Sequence, residues 1–305
     1  MSTTTMGRAA RSDKAAKPGK TPKAGAQSAI QGQGRVGKVF GYAAMVAVLL
    51  VIAVPLFWIV VTSFKAHDHI YVRPAEYLPI PFTPENYSDV TTRIPFAAYF
   101  RNSVVITFFA AAIKIVLGVL SAYALSLLRF PGRNILFIVI LAALMVPNQI
   151  TIISNFALVA QLGWKNTFQG IIIPLCGTAF GTFLMRNQFM SLPHEIIEAA
   201  RMDGAGPFKL LWRVVMPLSW PTLVAFSLIT IVNEWNEYLW PFLMSDDERT
   251  APLQVGLTML QNNDGVTNWG PVMAGTVLTI LPVLLLFLVL QRQMIKGLTS
   301  GAVKS

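Results

Sequence analysis

Long apolar runs alternate with short polar segments along most of this chain. A helix needs about 20 consecutive apolar residues to cross the hydrocarbon core of a bilayer. The pattern therefore predicts an all-α integral membrane protein with six transmembrane helices. The predicted spans cover residues 39–64, 103–127, 135–156, 168–189, 218–244 and 272–290.

The composition supports a membrane protein. Of 305 residues, 54% are hydrophobic and 12% are charged, and the mean hydropathy of +0.57 is too high for a soluble domain. The net charge of +10 would suit nucleic acid, but most Lys and Arg residues lie in residues 1–38 and in short loops, without a nucleic-acid motif. We therefore predict membrane lipid and no nucleic acid as a partner. The excess of Lys and Arg in residues 1–38 and in some of the short loops also predicts that both termini lie in the cytoplasm.

The chain is predicted to have two parts. Residues 1–38 are rich in Ser, Ala, Gly and Lys and form a disordered basic cytoplasmic tail, whereas residues 39–305 form the transmembrane domain. The tail contains glycines in a pattern close to a phosphate-binding loop. That match fails at Val39, where Ser or Thr would ligate magnesium, and no strand precedes the glycines. We therefore expect no cofactor to be bound by this chain.

A polar stretch, residues 191–221, interrupts the apolar pattern between the fourth and fifth spans. Charged side chains are costly in hydrocarbon, at about 2.5–3.5 kcal/mol each. This stretch must therefore lie in water at one face of the membrane. Its charged residues are Glu195, Glu198, Arg201, Asp203, Lys209 and Arg213.

The same stretch is predicted to fold as two short helices. Ser191 is expected to cap the first helix, with Pro193 in its first turn. Gly204 and Gly206 are expected to end it, and Pro207 to open the second. We call residues 191–221 the elbow. A helix–Gly–helix elbow at a membrane face is suited to docking another protein.

Several polar residues fall inside the predicted spans, where we expect them to line a polar pathway or to pack helices. Lys114 lies near the middle of the second span, and its ammonium is expected to face a partner helix, a carboxylate or a water-filled path. Pro147 and Asn148 break the third span. Gly177 and Gly181 form a weak close-packing motif in the fourth. The fifth span carries Asn233, Glu234, Asn236 and Glu237.

These polar residues do not form a recognisable catalytic set. No nucleophile accompanies the carboxylates of the fifth span. His67, Asp68 and His69 lack a further ligand at a suitable spacing, so we predict a solvated loop and no metal site. The chain is therefore predicted not to be an enzyme. An intramembrane enzyme that uses Glu234 or Glu237 is the alternative.

The elbow resembles the EAA loop of the permease subunits of bacterial ABC importers. That loop reads Glu-Ala-Ala, three residues, Gly, nine residues, then aliphatic-x-aliphatic-Pro. The matching residues are Glu198, Ala199, Ala200, Gly204, Val214, Met216 and Pro217. The longer form, which includes Asp203, is similar to carbohydrate importers of the maltose and glycerol-phosphate type, as is the C-terminal GLTSGAVKS, where Ser305 replaces the usual Gly.

This resemblance implies a type I ABC importer permease fold, with the EAA segment as a cytoplasmic coupling helix in a bacterial inner membrane. It implies a second permease subunit, two ATPase subunits that carry ATP and Mg, and an extracytoplasmic solute-binding protein that delivers a sugar. In that assembly Glu198 would pair with a basic residue of the ATPase. Ala199 and Ala200 would allow close approach, and Gly204 would permit the sharp turn.

Two other functions remain open at this stage. A secondary transporter driven by an ion gradient would explain the spans and Lys114, but it leaves the elbow without a role. An ABC permease for a solute other than a sugar fits the elbow equally well, and only the C-terminal segment and the Trp235-Asn236 pair favour sugar.

Overall fold

The computed structural model describes residues 35–261 and 267–299, with the backbone alone for residues 35, 36, 38, 148 and 294–299. The described chain is helical, and its only strand-like pairing is one antiparallel bridge between Lys65 and Phe82. The helices are α1 Arg35–Ser63, α2 His67–Ile70, α3 Glu85–Arg93, α4 Phe96–Leu127, α5 Arg133–Leu144, α6 Asn148–Gln161, α7 Phe168–Leu175, α8 Ala179–Met190, α9 His194–Met202, α10 Pro207–Leu210, α11 Met216–Leu218, α12 Trp220–Trp235, α13 Leu239–Met244, α14 Leu253–Thr258 and α15 Trp269–Thr299. A π-helical turn, Leu211–Val215, joins α10 to α11.

The chain divides into two compact units, Met1–Pro55 and Leu56–Ser305. The described part of the first unit is the beginning of α1, where every side chain from Val39 to Pro55 is exposed. A helix that is apolar on all sides is stable when lipid or other protein surrounds it. Residues 1–34 of the predicted tail lie outside the described chain, so its boundary at residue 38 stays a prediction.

Three helical segments are long and apolar enough to cross a membrane unbroken: Val39–Ser63, Phe96–Leu127 and Trp269–Gln293, with mean hydropathies of 3.0, 2.4 and 2.6. Three pairs of shorter helices are long and apolar enough to cross only when each pair is taken as one bent span. The described chain therefore has three to six candidate spans by length and composition. The first, second and sixth predicted spans are the unbroken ones.

The other three predicted spans differ from straight helices. In the third, the axis turns by 98° between Arg133–Leu144 and Gln149–Gln161. Pro147 lies at this break and explains it, because proline has no N–H to donate and disfavours helical geometry in the residue before it. The fourth span bends by 44° between α7 and α8.

The fifth predicted span, residues 218–244, is wrong as a single helix. α12 ends at Trp235, and the polar residues that follow form a turn before α13 begins. At its other end, α12 meets the segment Pro207–Leu218 at 84°. The apolar pattern predicted one helix over α12 and α13 because α13 is also apolar. Asn236 and Glu237, placed inside a span by the sequence, therefore lie in the turn beyond its end.

Three apolar clusters lie along α4 and form the core of the second unit. Near the N-terminus of α4, Tyr99 packs with α14 and α15. In its middle, Ile106 and Ala110 pack with residues of α7 and α13. Towards its C-terminus, Val119, Ala122 and Tyr123 pack with α8, α12 and the elbow. α4 is therefore the helix on which the other elements are assembled.

Two glycines allow α12 to pack closely against α4 and α8. A Cβ atom added at Gly118 would lie 3.0 Å from Cζ of Phe226, and one added at Gly181 would overlap the same ring. A Cβ at Gly177 would meet no atom within 4 Å. Within the predicted Gly177-x-x-x-Gly181 motif, only Gly181 makes a close contact in the described chain.

We predict that Gly181→Ala destabilises the protein, because the added methyl group displaces the buried Phe226 ring. Overpacking of this kind costs about 1–3 kcal/mol. Thermal unfolding of the purified protein in detergent measures the effect. Gly177→Ala is the matched control in the same motif and should leave the unfolding temperature unchanged, and equal effects of the two variants would contradict the packing described here.

Candidate functional site

The elbow consists of two short helical segments joined by a left-handed glycine. α9 ends at Met202, and Gly204 has φ of +73°. The backbone N–H of Gly204 donates to the carbonyl of Arg201 at 3.0 Å, and that of Ala205 donates to Ala200 at 3.0 Å. These bonds satisfy carbonyls that the end of the helix would leave unpaired. The expected positions of Gly204 and Pro207 agree with this geometry.

The expected start of the first helix was wrong. Ser191 follows α8 instead of capping α9, and its hydroxyl donates to the carbonyl of Gln188 at 2.8 Å. Pro193 takes the N-cap position of α9 rather than a place in its first turn. The reason is that α8 continues to Met190, so the hydroxyl of Ser191 is engaged by the preceding helix.

One face of the elbow is anchored to the helices beneath it. Ile197 is the buried residue of α9, and it packs with Leu210, Leu211 and Val215 against α4 and α8. The hydroxyl of Tyr123 donates to the carbonyl of Pro207 at 2.8 Å. The elbow is therefore a packed part of the second unit.

Three arginines complete this anchor at the C-terminal end of α4. The last carbonyls of a helix have no partners within it, and guanidinium groups are suited to bind them and to favour the negative end of the helix dipole. Arg133 donates to the carbonyls of Ser126 at 3.2 Å and Leu128 at 3.1 Å, Arg186 to Leu125 at 3.2 Å, and Arg201 to Leu127 at 3.0 Å.

These arginines were missed as a group by the sequence reasoning. They come from α5, α8 and α9, so their spacing along the chain is irregular. Arg201 directly follows the Glu-Ala-Ala triplet, and its bond to Leu127 links that triplet to α4. The only signal in the sequence was the number of basic residues near this end of the spans.

The opposite face of the elbow is exposed and mixed in character. Glu198, Ala199 and Asp203 are exposed, and neither carboxylate has an ion-pair partner in the described chain. Large apolar side chains lie beside them: Met202 is 83% exposed and Phe208 is 74% exposed. Free carboxylates next to exposed apolar side chains are typical of a protein interaction surface.

The remaining elbow residues of the predicted site lie at the edge of this surface or below it. Ala200 is half-buried against the apolar cluster, so it supports the helix instead of facing outward. Pro217 is exposed at the far end, in the first turn of α11. The structure thus brings Glu198, Ala199 and Asp203 onto one surface.

A buried carboxylate and a partly buried ammonium form a second candidate site, in the middle of the spans. The ammonium of Lys114 on α4 forms an ion pair and a hydrogen bond with Oε1 of Glu234 on α12. The exposed fraction of the side chain is 18% for Lys114 and 4% for Glu234. The second oxygen of this carboxylate, Oε2, is buried and has no hydrogen-bond partner in the described chain. Of the alternatives expected for Lys114, the carboxylate is the one found.

The other predicted pathway residues do not join this pair. Asn233 and Asn236 are exposed, and Asn236 donates to the carbonyl of Val232 at 2.8 Å. Glu237 accepts from the backbone N–H of Trp240 at 3.4 Å. Asn148 begins α6, and its side chain lies outside the described part of the chain.

The loops at the N-terminal end of α4 contain a third polar group. Lys165 and Asn166 bind the carboxylate of Asp246 at 2.9 Å and 3.0 Å. These hydrogen bonds lower the pKa of Asp246 below its usual value. A lowered pKa means that the contribution of this contact to stability is present above about pH 4 and is lost as the pH falls through the lowered pKa. The side chains are exposed, so the contribution is small.

The triad expected to be a solvated loop begins the short helix α2. Nδ1 of His69 lies 3.0 Å from Oε2 of Glu76, and Asp68 is largely exposed. Among the described residues no cluster of three or more His, Cys, Asp or Glu is arranged to hold a metal ion. These residues connect loop segments at the N-terminal end of α4.

We predict that Gly204→Ala destabilises the elbow. A left-handed conformation costs an L-residue about 1–2 kcal/mol. Limited proteolysis of the elbow and thermal unfolding in detergent measure this loss. Gly206→Ala is the matched control, because Gly206 has an ordinary φ of −66° and open space around it. Equal tolerance of both substitutions would mean that the turn does not depend on Gly204.

We also predict that Lys114 and Glu234 are strongly coupled. Removal of one partner of a buried ion pair leaves an uncompensated charge, at a cost of about 3–5 kcal/mol. Glu234→Leu alone should therefore destabilise the protein more than the double variant Lys114→Met with Glu234→Leu. A double-mutant cycle on unfolding in detergent tests this, and strictly additive effects would contradict the pairing.

Long apolar helices, with an anchored and charged elbow between two of them, define an integral membrane protein. Comparisons with known proteins specify the class further. Residues 114–299 match the family described as "Binding-protein-dependent transport system inner membrane component".

The relatives found by sequence agree with this family. The chain is 34% identical over 270 residues to the sn-glycerol-3-phosphate transport system permease protein UgpE of Yersinia pestis bv. Antiqua (strain Antiqua), covering 86% of this chain and 96% of that protein. The identity and both coverages are the same for UgpE of Escherichia coli O1:K1 / APEC. This chain belongs to the binding-protein-dependent transport system inner membrane components, the permease subunits of ABC importers.

Solved structures extend the likeness to the fold. A bacterial ABC transporter involved in the import of the acidic polysaccharide alginate contains a chain that is 27% identical, with a TM-score of 0.75, over 85% of this chain and 98% of that one. A chain of a bacterial alginate ABC transporter in complex with a pentasaccharide-bound periplasmic protein has a TM-score of 0.59 at 12% identity, over 86% and 99% of the two chains. The latter likeness concerns the fold alone.

Proposed function

We propose that this chain and a second permease subunit form the translocation pathway of an ATP-driven importer for a sugar or sugar derivative. An extracytoplasmic binding protein delivers the solute, and two ATPase subunits bind the elbow from the cytoplasm. ATP and Mg are bound by those subunits. The permease itself performs no catalysis. Both termini lie on the cytoplasmic side.

The observation that carries this proposal is the two-sided construction of the elbow. Its inner face is fixed to α4 and α8 through Ile197, Tyr123 and Arg201. Its outer face leaves Glu198 and exposed apolar side chains unpartnered in the described chain. A docked protein that moves this outer face therefore moves the end of α4 with it.

The electrostatics of the outer face favour a basic partner surface. Glu198 and Asp203 are exposed carboxylates without ion pairs in the described chain. Ala199 lies between them on α9 and is small enough for a partner backbone to approach. We therefore assign Glu198 to an ion pair with a basic ATPase residue and Ala199 to close packing. Gly204 holds the turn that presents them.

A sugar or sugar derivative is the proposed solute because of the relatives. Those named above import sn-glycerol 3-phosphate and alginate, both hydroxyl-rich compounds. The C-terminal segment that resembles carbohydrate permeases supports the same class, although residues 300–305 lie outside the described chain. An importer for another polar solute is the second candidate.

We predict that Glu198→Lys uncouples the transporter without preventing membrane insertion. Reversal of the exposed charge removes the ion pair and repels a basic partner, so solute-stimulated ATP hydrolysis should fall by about tenfold or more. The measurement is the ATPase rate of the assembled complex in proteoliposomes with its binding protein. Glu248→Lys makes the same charge change at an exposed residue of the loop between α13 and α14 and should have no effect.

The composition of the purified complex provides the second test. Mild-detergent purification from the native host should recover two ATPase subunits, a second permease and the binding protein. Normal solute-stimulated ATP hydrolysis by the Glu198→Lys complex would refute the role given to Glu198. A chain that purifies alone and moves solute without ATP would refute the importer itself and favour an ion-gradient transporter.

A further inference from the structure

The pair formed by Lys114 and Glu234 has hydrogen-bonding capacity that the described chain does not use. Glu234 uses Oε1 for Lys114, whereas its Oε2 is buried without a partner. A buried carboxylate oxygen normally accepts a hydrogen bond, because loss of its hydration is otherwise uncompensated. The ammonium of Lys114 has three N–H groups, of which one is used by Glu234.

A second unpartnered group lies on the same face of α4. The hydroxyl oxygen of Thr107 is buried and has no hydrogen-bond partner in the described chain. Thr107 precedes Lys114 by two helical turns, about 10 Å along the axis. This face of α4 therefore presents one buried and one partly buried polar side chain with unmet hydrogen-bonding capacity.

The pair also lies near a break in a neighbouring span. The axis bends by 44° between α7 and α8, where Cys176 begins the interruption. The side chain of Cys176 is partly exposed and packs against the apolar cluster that contains Ala110, one helical turn before Lys114 on α4. Broken helices at membrane depth occur where backbone lines a cavity or packs inside protein.

We propose that Lys114 and Glu234 form a binding determinant for an uncharged, hydroxyl-bearing solute. Lys114 donates to the oxygen of one hydroxyl group, and Oε2 of Glu234 accepts from a neighbouring hydroxyl. This inference rests on the proposed transport function. It goes further by naming two contacts and the charge of the solute.

The charge balance of the pair excludes an anionic solute at this position. The carboxylate of Glu234 already neutralises the ammonium of Lys114, and its free oxygen would repel a phosphate or a carboxylate. A vicinal diol matches the pair because it both donates and accepts. We therefore expect this importer to differ in solute charge from the relatives that import sn-glycerol 3-phosphate and alginate.

The contact with solute requires a rearrangement of the spans. Oε2 of Glu234 is inaccessible in the conformation described here. A solute hydroxyl can reach it only when helices around the pair separate, as they do in a transporter that alternates between states. Cys176, the only cysteine of the chain, reports this opening without an engineered label.

The first test is the reactivity of Cys176 in the reconstituted complex. A cationic and an anionic methanethiosulfonate of similar size are compared, without nucleotide and after trapping with Mg-ATP and vanadate, by mass spectrometry of the peptide that contains Cys176. We expect Cys176 to react faster in the state in which the helices around the pair separate. A Cys176 that reacts equally in both states, or in neither, would overturn the proposal and leave the pair as a helix-packing contact.

The ratio of the rates at which the cationic and the anionic reagent modify Cys176 reports the net charge of the pair. With a neutral pair, the two reagents should react at similar rates after normalisation to a free thiol. Lys114→Met should favour the cationic reagent and Glu234→Gln the anionic reagent, each by about tenfold. Glu248→Gln is the matched control and should leave the ratio unchanged. A strong preference for the anionic reagent in the unaltered protein would mean that Lys114 is free to bind an anion, contrary to the proposal.

The second test identifies the solute by its charge. Neutral sugars and polyols are compared with sugar phosphates and uronates for stimulation of ATP hydrolysis by the complex with its binding protein. A neutral solute should stimulate, and Glu234→Gln should reduce that stimulation by about tenfold or more. With its oxygen on Lys114, the amide presents N–H donors where Oε2 of the carboxylate would accept from the solute hydroxyl, so a hydrogen bond to a charged group is lost. Stimulation by an anionic solute would overturn the inference while the importer function stands, whereas a complex without ATPase subunits would refute the importer function.

Discussion

The capping of the C-terminal end of α4 is the interaction on which the rest of the structure depends. A helix of this length ends with carbonyl groups that no residue of the helix itself can satisfy. Guanidinium groups from α5, α8 and α9 satisfy them here, so one helix end holds three other elements. The elbow owes its fixed position to this cluster. In the proposed importer, the exposed face would transmit the movement of a docked ATPase because the face beneath it is fixed to α4.

Polar groups inside the spans are organised by the same requirement for partners. The serine and threonine hydroxyls of Ser121 and Thr182 lie 2.6 Å apart and link α4 to α8, and Thr222 donates to Gln188 at 3.0 Å between α12 and α8. These pairs are complete. The pair of Lys114 and Glu234 is incomplete, because one carboxylate oxygen is buried and has no hydrogen-bond partner among the described residues. Incomplete satisfaction in a low-dielectric interior is costly, which is why we assign this pair to solute binding.

Several predicted spans are interrupted at proline or polar residues. The bends at Pro147 and at Cys176–Thr178 remove backbone hydrogen bonds from otherwise apolar helices. α12 is instead short, and its end at Trp235 places Asn236 and Glu237 in a turn. The indole of Trp235 donates to the carbonyl of Thr279 at 3.1 Å and fixes that end against α15. The two ends of α12 are thus held by different neighbours.

The sequence by itself determined the helical class, the approximate number of spans, the elbow and its glycine turn, because hydropathy, proline and glycine act locally along the chain. It also identified Lys114 as a residue that needs a partner. Only the tertiary structure decided that this partner is Glu234, that α12 stops before Asn236, and that arginines from three helices converge on α4. These features depend on contacts between residues far apart in sequence, and local patterns of hydropathy, proline and glycine do not reveal such contacts.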